Sequence, residues 1–357
     1  MRVAIIAPPF IPVPPPKYGG TELFIAQLAT GLTELGHEVV VYANGESHLP
    51  CEVRWLYETS DWPLADPANA TLKSLVHTSW AMRDLDDGYD VVHLNDTLAT
   101  VFVPFVSVPA VQTLHHPHEP SLSAVYDRHP AITYVAISEF QRQQHAMPRL
   151  CTIHHGLRAA DYTFEPHKDE YLLFLGRIAP LKGTHLAIDI AQRTGLPLKI
   201  AGEIQPVFGD YWEREIAPHV DGRQIQYVGE ADFAAKNELL AHARAMLFPI
   251  QWDEPFGLVV IEAMACGTPV LALPGGSMPE LVKNGVNGYL CADPAEMAQR
   301  VVHLDIDPAR CRSYVDDHFG LDLMVRRYEE LFSRAARGET IESGALPRDA
   351  HGTAGAV

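Results

Sequence analysis

Apolar positions recur along this chain in two rhythms. Residues 2–7 (RVAIIA) are apolar in all but the first place, the pattern of a strand covered on both faces of a parallel sheet. A proline-rich loop and Gly19-Gly20 come next. A stretch of helical spacing then runs from Thr21 to Leu35, stopped by Gly36. A second strand at 38–42 completes a βαβ opening. Apolar runs at 90–94 (DVVHL), 110–114 (AVQTL) and 133–137 (TYVAI) predict further buried strands, spaced widely enough for helices between them.

The rhythm then restarts. YLLFLGR (171–177) reads as a strand, IAPLKG as a loop, THLAIDIAQRTG as a helix ending at a glycine, and PLKIAG (197–202) as a strand. QIQYVG (224–229), AMLFP (245–249) and TPVLAL (268–273) follow, with helical stretches between them. Two successive halves, each opening on a strand, predict an α/β protein of two doubly wound, Rossmann-like domains facing each other across a cleft. The polar segment LRAADYTFEPHKD (157–169) breaks the alternation and marks the boundary. Near the end LDLMVRRYEELFSRAAR has helical periodicity, and the polar, small-residue stretch 338–357 reads as a disordered tail.

Length agrees with two domains: 357 residues exceed one ordinary core. The formal net charge of -18 disfavours nucleic acid and strong attachment to anionic membranes. Five scattered cysteines, odd in number and without CxxC spacing, read as the reduced thiols of a cytoplasmic protein. No apolar stretch reaches membrane length, and the N-terminus lacks a signal-peptide pattern.

Open parallel sheets bind ligands beyond the carboxyl ends of their strands, so the loops after 2–7, 110–114, 171–177 and 245–249 carry the chemistry. Gly19-Gly20 before a helix either turn the chain or let a phosphate meet backbone amides. Neither GxGxxG nor GxxxxGK[ST] is present, so no nicotinamide cofactor and no Walker-type site are indicated. Arg177 ends a strand, and Lys182 precedes Gly183 and a helix; as a fork and a point charge they suit a diphosphate, or else are solvated loop charges. His115, His116 and His118 crowd one loop, but Pro117 breaks ligand spacing, and one histidine bonding a polar ligand fits better than a metal. The triplets Asp84-Leu85-Asp86 and Asp305-Ile306-Asp307 read as incidental in so acidic a chain.

Glu254 and Glu262 stand eight positions apart in DEPFGLVVIEAMACGTP. A helix opening at Pro255 would separate them by roughly 12 Å at its axial rise. Paired carboxylates that flank one glycosidic bond lie only about 5–9.5 Å apart. The two glutamates are therefore expected to hold separate parts of one long ligand; the plainer alternatives are a helix-dipole contact for Glu254 and an ion pair for Glu262.

Together YGGTE, DVVHLND, VQTLHH, VAIS, HHGL, FLGRIAPLKG, YVGE, EPFGLVVIEAMACGTPVL, GGSMPELVKNGVNGYL and LDLMVRRYEELF resemble glycosyltransferase family 4 over nearly the whole chain. The resemblance implies a GT-B fold and a retaining, metal-independent hexosyltransferase using a nucleotide diphosphate sugar. It implies that the last helix crosses back, giving a domain of 1–165 plus 318–337 on the acceptor side and a donor domain of 166–317. Arg177 and Lys182 would hold the donor diphosphate. Glu262 would bind the ribose, and Glu254 with Phe256, Gly257 and Leu258 would face the sugar. Backbone at Tyr227 and Val228 would meet the base, and Gly19 and Gly20 the phosphates. His115, preferred over His116, would lie near the sugar 6-hydroxyl and the acceptor.

Retention would proceed without an enzymic nucleophile, the departing phosphate taking the acceptor proton while the cations stabilise it. A UDP-sugar, with UDP-glucose first, is the expected donor; a GDP-mannose-dependent mannosyltransferase and a non-catalytic nucleotide-sugar-binding protein are the rival readings. The acceptor, whether glycan, lipid-linked or small molecule, is left open, and no cofactor is expected.

Overall fold

A computed structural model describes every residue except Tyr18, Pro63, Ala65, Asp66, Asp86, Asp87, Glu342, Ser343 and 346–357. The chain divides into two compact units, 1–15 with 19–154 and 324 onward, and 16–18 with 155–323.

The first unit carries a parallel sheet of β1 (Arg2–Ile6), β2 (Glu38–Ala43), β3 (Glu52–Trp55), β4 (Val91–Leu94), β5 (Ala110–Leu114), β6 (Thr133–Ala136) and β7 (Leu150–Thr152), in the order β7-β6-β5-β4-β1-β2-β3. The second carries β8 (Leu172–Leu175), β9 (Leu198–Ala201), β10 (Ile225–Gly229), β11 (Ala245–Phe248), β12 (Val270–Ala272) and β13 (Gly288–Leu290), in the order β10-β9-β8-β11-β12-β13. A two-residue strand, β14 (Gly344–Ala345), pairs with β7. The α/β architecture of two doubly wound units is the one expected. Continuous apolar runs produce it because helices cover both faces: Val3 to Ile6, Leu172 and Leu173, and Met246 and Leu247 have no exposed surface.

Strand order decides where ligands can approach. In the first sheet the chain winds outward one way from β1 and the other way from β4; in the second it does so from β8 and β11. Neighbouring loops at such a reversal diverge to opposite faces and leave a crevice. The loops after β8 and β11 hold Arg177, Lys182 and Glu254, and the loop after β1 ends at Gly19, with Gly20 opening the helix that follows.

The helix Leu321–Ala336 supplies its part from Met324 on to the first unit. Gly31 admits it: a Cβ at Gly31 would lie 2.4 Å from Val325 Cγ2. Tyr328 then places its hydroxyl 2.9 Å from Thr113 Oγ1 of β5, and Phe332 packs its ring 5.3 Å from that of His93. Of the expected tail, Ile341 is buried at 2% exposure and Gly344–Ala345 form β14, because an apolar side chain and a free strand edge draw this stretch onto the sheet. Residues 342, 343 and 346–357 lie outside the described residues.

Candidate functional site

The second unit joins two of the expected residues directly. Pro180–Lys182 is a short 3-10 turn, and Gly183 follows it with a left-handed φ of 75°. A Cβ at Gly183 would stand 2.0 Å from the Pro249 carbonyl oxygen, so only glycine lets the loops after β8 and β11 come this close. The Gln251 amide donates to the Leu181 carbonyl at 2.7 Å and ties them together. Across this seam Lys182 Nζ lies 2.5 Å from Glu254 Oε2, with the two side chains 14% and 12% exposed. Trp252 Nε1 donates to the same oxygen at 3.0 Å, and the Lys182 ammonium rides over the Trp252 ring at 4.7 Å.

The helix after Glu254 does not open at Pro255. It runs Leu258–Ala265, preceded by Gly257 with a left-handed φ of 90°. Glu254 therefore stays in the loop, and helical rise does not set its distance from Glu262. A second contact holds it there: the Ser277 amide donates to the Glu254 carbonyl at 3.0 Å, and Gly276 passes so close that a Cβ would meet Glu254 N at 2.4 Å. Ser277 Oγ donates to the Phe256 carbonyl at 2.6 Å, and the buried Phe256 ring meets His155 edge-on at 5.1 Å. Leu258, half-buried, opens the helix.

Glu262 is 3% exposed on that helix. Its Oε1 accepts from Tyr162 Oη at 3.0 Å and from Lys236 Nζ at 2.5 Å. Burial, and then the Glu262 charge, push the Tyr162 hydroxyl well above its ordinary pKa, so it remains a donor. The geometry contains the ion pair weighed from the sequence. Arg177 leaves β8 half-buried, its Nη1 3.5 Å from Gln205 Oε1. Tyr227 donates its hydroxyl to the Gly202 carbonyl at 2.8 Å and packs on Trp212 at 4.7 Å, while Val228 is 44% exposed.

In the first unit Gly19 precedes the helix Gly20–Glu34, and Gly20 itself is exposed. A Cβ at Gly19 would sit 2.9 Å from Glu22 Oε2. Glu22 is 6% exposed in the first helical turn, and burial pushes its carboxyl up to about 7. At the end of β5, His115 is half-buried, Nε2 2.9 Å from Asn95 Oδ1, with the Phe24 ring edge-on at 5.2 Å. His116 and His118 are exposed, and the His118 ring leans on that of His145 at 5.0 Å.

Among the described residues no group of His, Cys, Asp and Glu side chains gathers as a metal site. Asp84 accepts from Tyr42 and Arg54, Asp307 caps the helix Pro308–Phe319, and Asp86 lies outside the described residues. All five cysteines are free thiols, and burial pushes four of them, Cys151, Cys266, Cys291 and Cys311, up to about 12. Among the described residues no helix is long and apolar enough to cross a membrane.

Sequence reasoning did not single out Trp252, Tyr162, Lys236 or Ser277. The Trp two places before Glu254 was the one visible signal, a large aromatic beside the polar pair Asp253 and Glu254. The other three reach the site from distant segments, at spacings no local pattern displays.

Two family models cover most of the chain: "Glycosyltransferase Family 4" matches residues 18–154 and "Glycosyl transferases group 1" residues 160–315. The chain is 26% identical to a glycogen synthase of Mycobacterium tuberculosis over 94% of its own length and 95% of that protein. It is also 26% identical to a phosphatidyl-myo-inositol mannosyltransferase of Mycolicibacterium smegmatis, over 81% of this chain and 80% of the relative. Its fold matches that of AviGT4, a glycosyltransferase of avilamycin A biosynthesis, at a TM-score of 0.71 and 24% identity, covering 96% of this chain and 99% of that one. It matches a sucrose-phosphate synthase of Thermosynechococcus elongatus at 0.76 and 19% identity, covering 95% and 100%. With two doubly wound sheets and both halves matched in order, the chain belongs to glycosyltransferase family 4 and is a GT-B glycosyltransferase.

Proposed function

We propose that this enzyme moves a hexose from a nucleotide diphosphate sugar to its acceptor with retention and without a metal ion. The observation that carries the reading is the Lys182–Glu254 pair, one member from each loop at the β8/β11 reversal, with Arg177 leaving the same β8 strand. Arg177 and Lys182 bring two positive charges to one loop, enough to neutralise a diphosphate leaving group. Glu254 faces the sugar and Glu262 the ribose. Gly19 and Gly20 offer amides to phosphate, His115 meets the sugar 6-hydroxyl, and the base rests against Tyr227 and Val228.

In the reaction the sugar C1–O bond to the diphosphate breaks as the acceptor oxygen bonds C1 on the same face. The acceptor proton passes to the departing phosphate oxygen. The diphosphate is already charged when it binds and gains charge as that bond breaks, so Lys182 meets it on binding and stabilises it further toward the transition state.

UDP-glucose is the first donor to assay and GDP-mannose the competitor. Nucleotide release with UDP-, GDP- and ADP-sugars, with and without glycan and lipid acceptors, identifies the pair, and NMR of the product reports the anomeric configuration. Lys182→Ala is expected to lower transfer roughly 10²-fold with the fold intact. Turnover near wild type would remove Lys182 from this role, and an inverted product would remove retention.

A further inference from the structure

We propose that Trp252 is a positioning residue of the donor site, holding Lys182 and Glu254 together before the donor arrives and keeping Glu254 aimed once the ammonium turns to the diphosphate. The inference rests on the donor reading above and adds a residue that it does not contain.

Three observations converge on one side chain. The indole Nε1 donates to Glu254 Oε2 at 3.0 Å, the oxygen that also takes Lys182 Nζ at 2.5 Å. The ring lies under the Lys182 ammonium at 4.7 Å, within cation–π range. The Trp252 backbone is pinned on both sides. Its neighbour Gln251 donates to Leu181 at 2.7 Å, and Gly275 passes so near that a Cβ would meet the Trp252 carbonyl at 2.5 Å.

The two contacts respond differently to a diphosphate. Lys182 is a point charge on a flexible stem, and a phosphate oxygen competes with Glu254 for it. The indole N–H has one direction and a rigid ring behind it, so it stays on Glu254. When the ammonium leaves, Trp252 is the remaining side-chain donor holding this carboxylate among the described residues. Glu254 then keeps its orientation, and its Oε1 remains open to a sugar hydroxyl. Without the indole N–H, Glu254 would be released at the step that needs it fixed.

Two variants separate these contacts. Trp252→Phe keeps an aromatic face for Lys182 and removes the N–H; Trp252→Leu removes both. The Phe variant is expected to lose about tenfold in kcat while its donor KM stays within about threefold. The Leu variant is expected to lose kcat and raise donor KM as well. A Phe variant with wild-type kcat overturns the proposal, and so does one whose kcat and KM suffer in the same proportion as in Leu.

A measurement without donor decides the geometry independently. In protein labelled with 15N at the indoles, the Trp252 cross-peak is assigned by its loss in Trp252→Phe, and Glu254→Gln is expected to shift it. An unmoved peak overturns the clamp. A shifted peak in a protein that binds none of UDP, GDP and ADP supports the clamp and overturns the donor reading instead.

Discussion

Lys236 Nζ and Tyr162 Oη both converge on one oxygen of Glu262, a carboxylate with 3% exposure, so a change there is felt twice. Glu262→Gln leaves a half-buried ammonium without its anion, a loss of roughly 2–3 kcal/mol in stability. Donor affinity should fall as well, with kcat at saturating donor largely kept. Glu254→Gln should show the opposite balance, with turnover lost and nucleotide binding retained. Isothermal titration beside steady-state kinetics checks this division, and equal loss of turnover alone in both variants would remove it. Glu22 supports a pH prediction. Its folded pKa is raised from 4.5 to about 7 by burial, so between those values the folded protein holds a proton that the unfolded chain has released. The stabilisation is complete below pH 4.5 and is lost as pH rises through 7, a change of about 3 kcal/mol. Glu22→Gln should therefore match wild type in urea unfolding at pH 4 and exceed it at pH 8. An equal difference at both pH values would show that the carboxyl titrates normally. At this scale the sequence displayed residue types, and DEPFG with GRIAPLKG singled out Lys182 and Glu254. Their contact was invisible, because residues 72 positions apart meet only through strand order.

Single glycines decide how the elements meet. Gly183 combines a φ of 75° with a Cβ position 2.0 Å from the Pro249 carbonyl oxygen, a backbone atom that cannot swing aside. Gly183→Ala should thus open the seam between the loops after β8 and β11, at a strain cost of about 2 kcal/mol or more. The expected outcome is a lowered melting temperature together with a kcat loss exceeding that of an alanine placed at the exposed Gly195, which meets nothing within 4 Å. A Gly183→Ala enzyme with unchanged kcat would detach loop spacing from turnover. The buried strands were legible because helices on both faces make them uniformly apolar. Strands β3, β7 and β13 were not: β3 lies at a sheet edge with no buried residue, and the other two are three residues long. Pro255 misled for a local reason. Proline favours a first helical turn, but the positive φ of Gly257 cannot lie inside a helix, so the helix waits for Leu258.

Across the whole molecule, the restart of the apolar rhythm was enough to count two doubly wound sheets, and the ordered motifs were enough to reach the family. Those features are written locally: burial on both faces demands continuous apolar strands, and backbone turns demand glycine where φ is positive. Composition added the net charge of -18, which leaves a cluster such as Arg177 and Lys182 conspicuous in an otherwise acidic chain. What tertiary structure alone decided is partnership. The order β10-β9-β8-β11-β12-β13 makes neighbours of β8 and β11 and so brings Lys182 to the Glu254 oxygen that Trp252 also holds. Tertiary packing also buries Glu262 against Lys236 and Tyr162, and in the first unit lays Tyr328 of the last helix against Thr113 of β5. Hydrogen bonds and ion pairs act over a few ångströms, whereas their partners here are separated by up to 215 residues of chain. Only the packing of strands, helices and loops in three dimensions converts that sequence distance into contact.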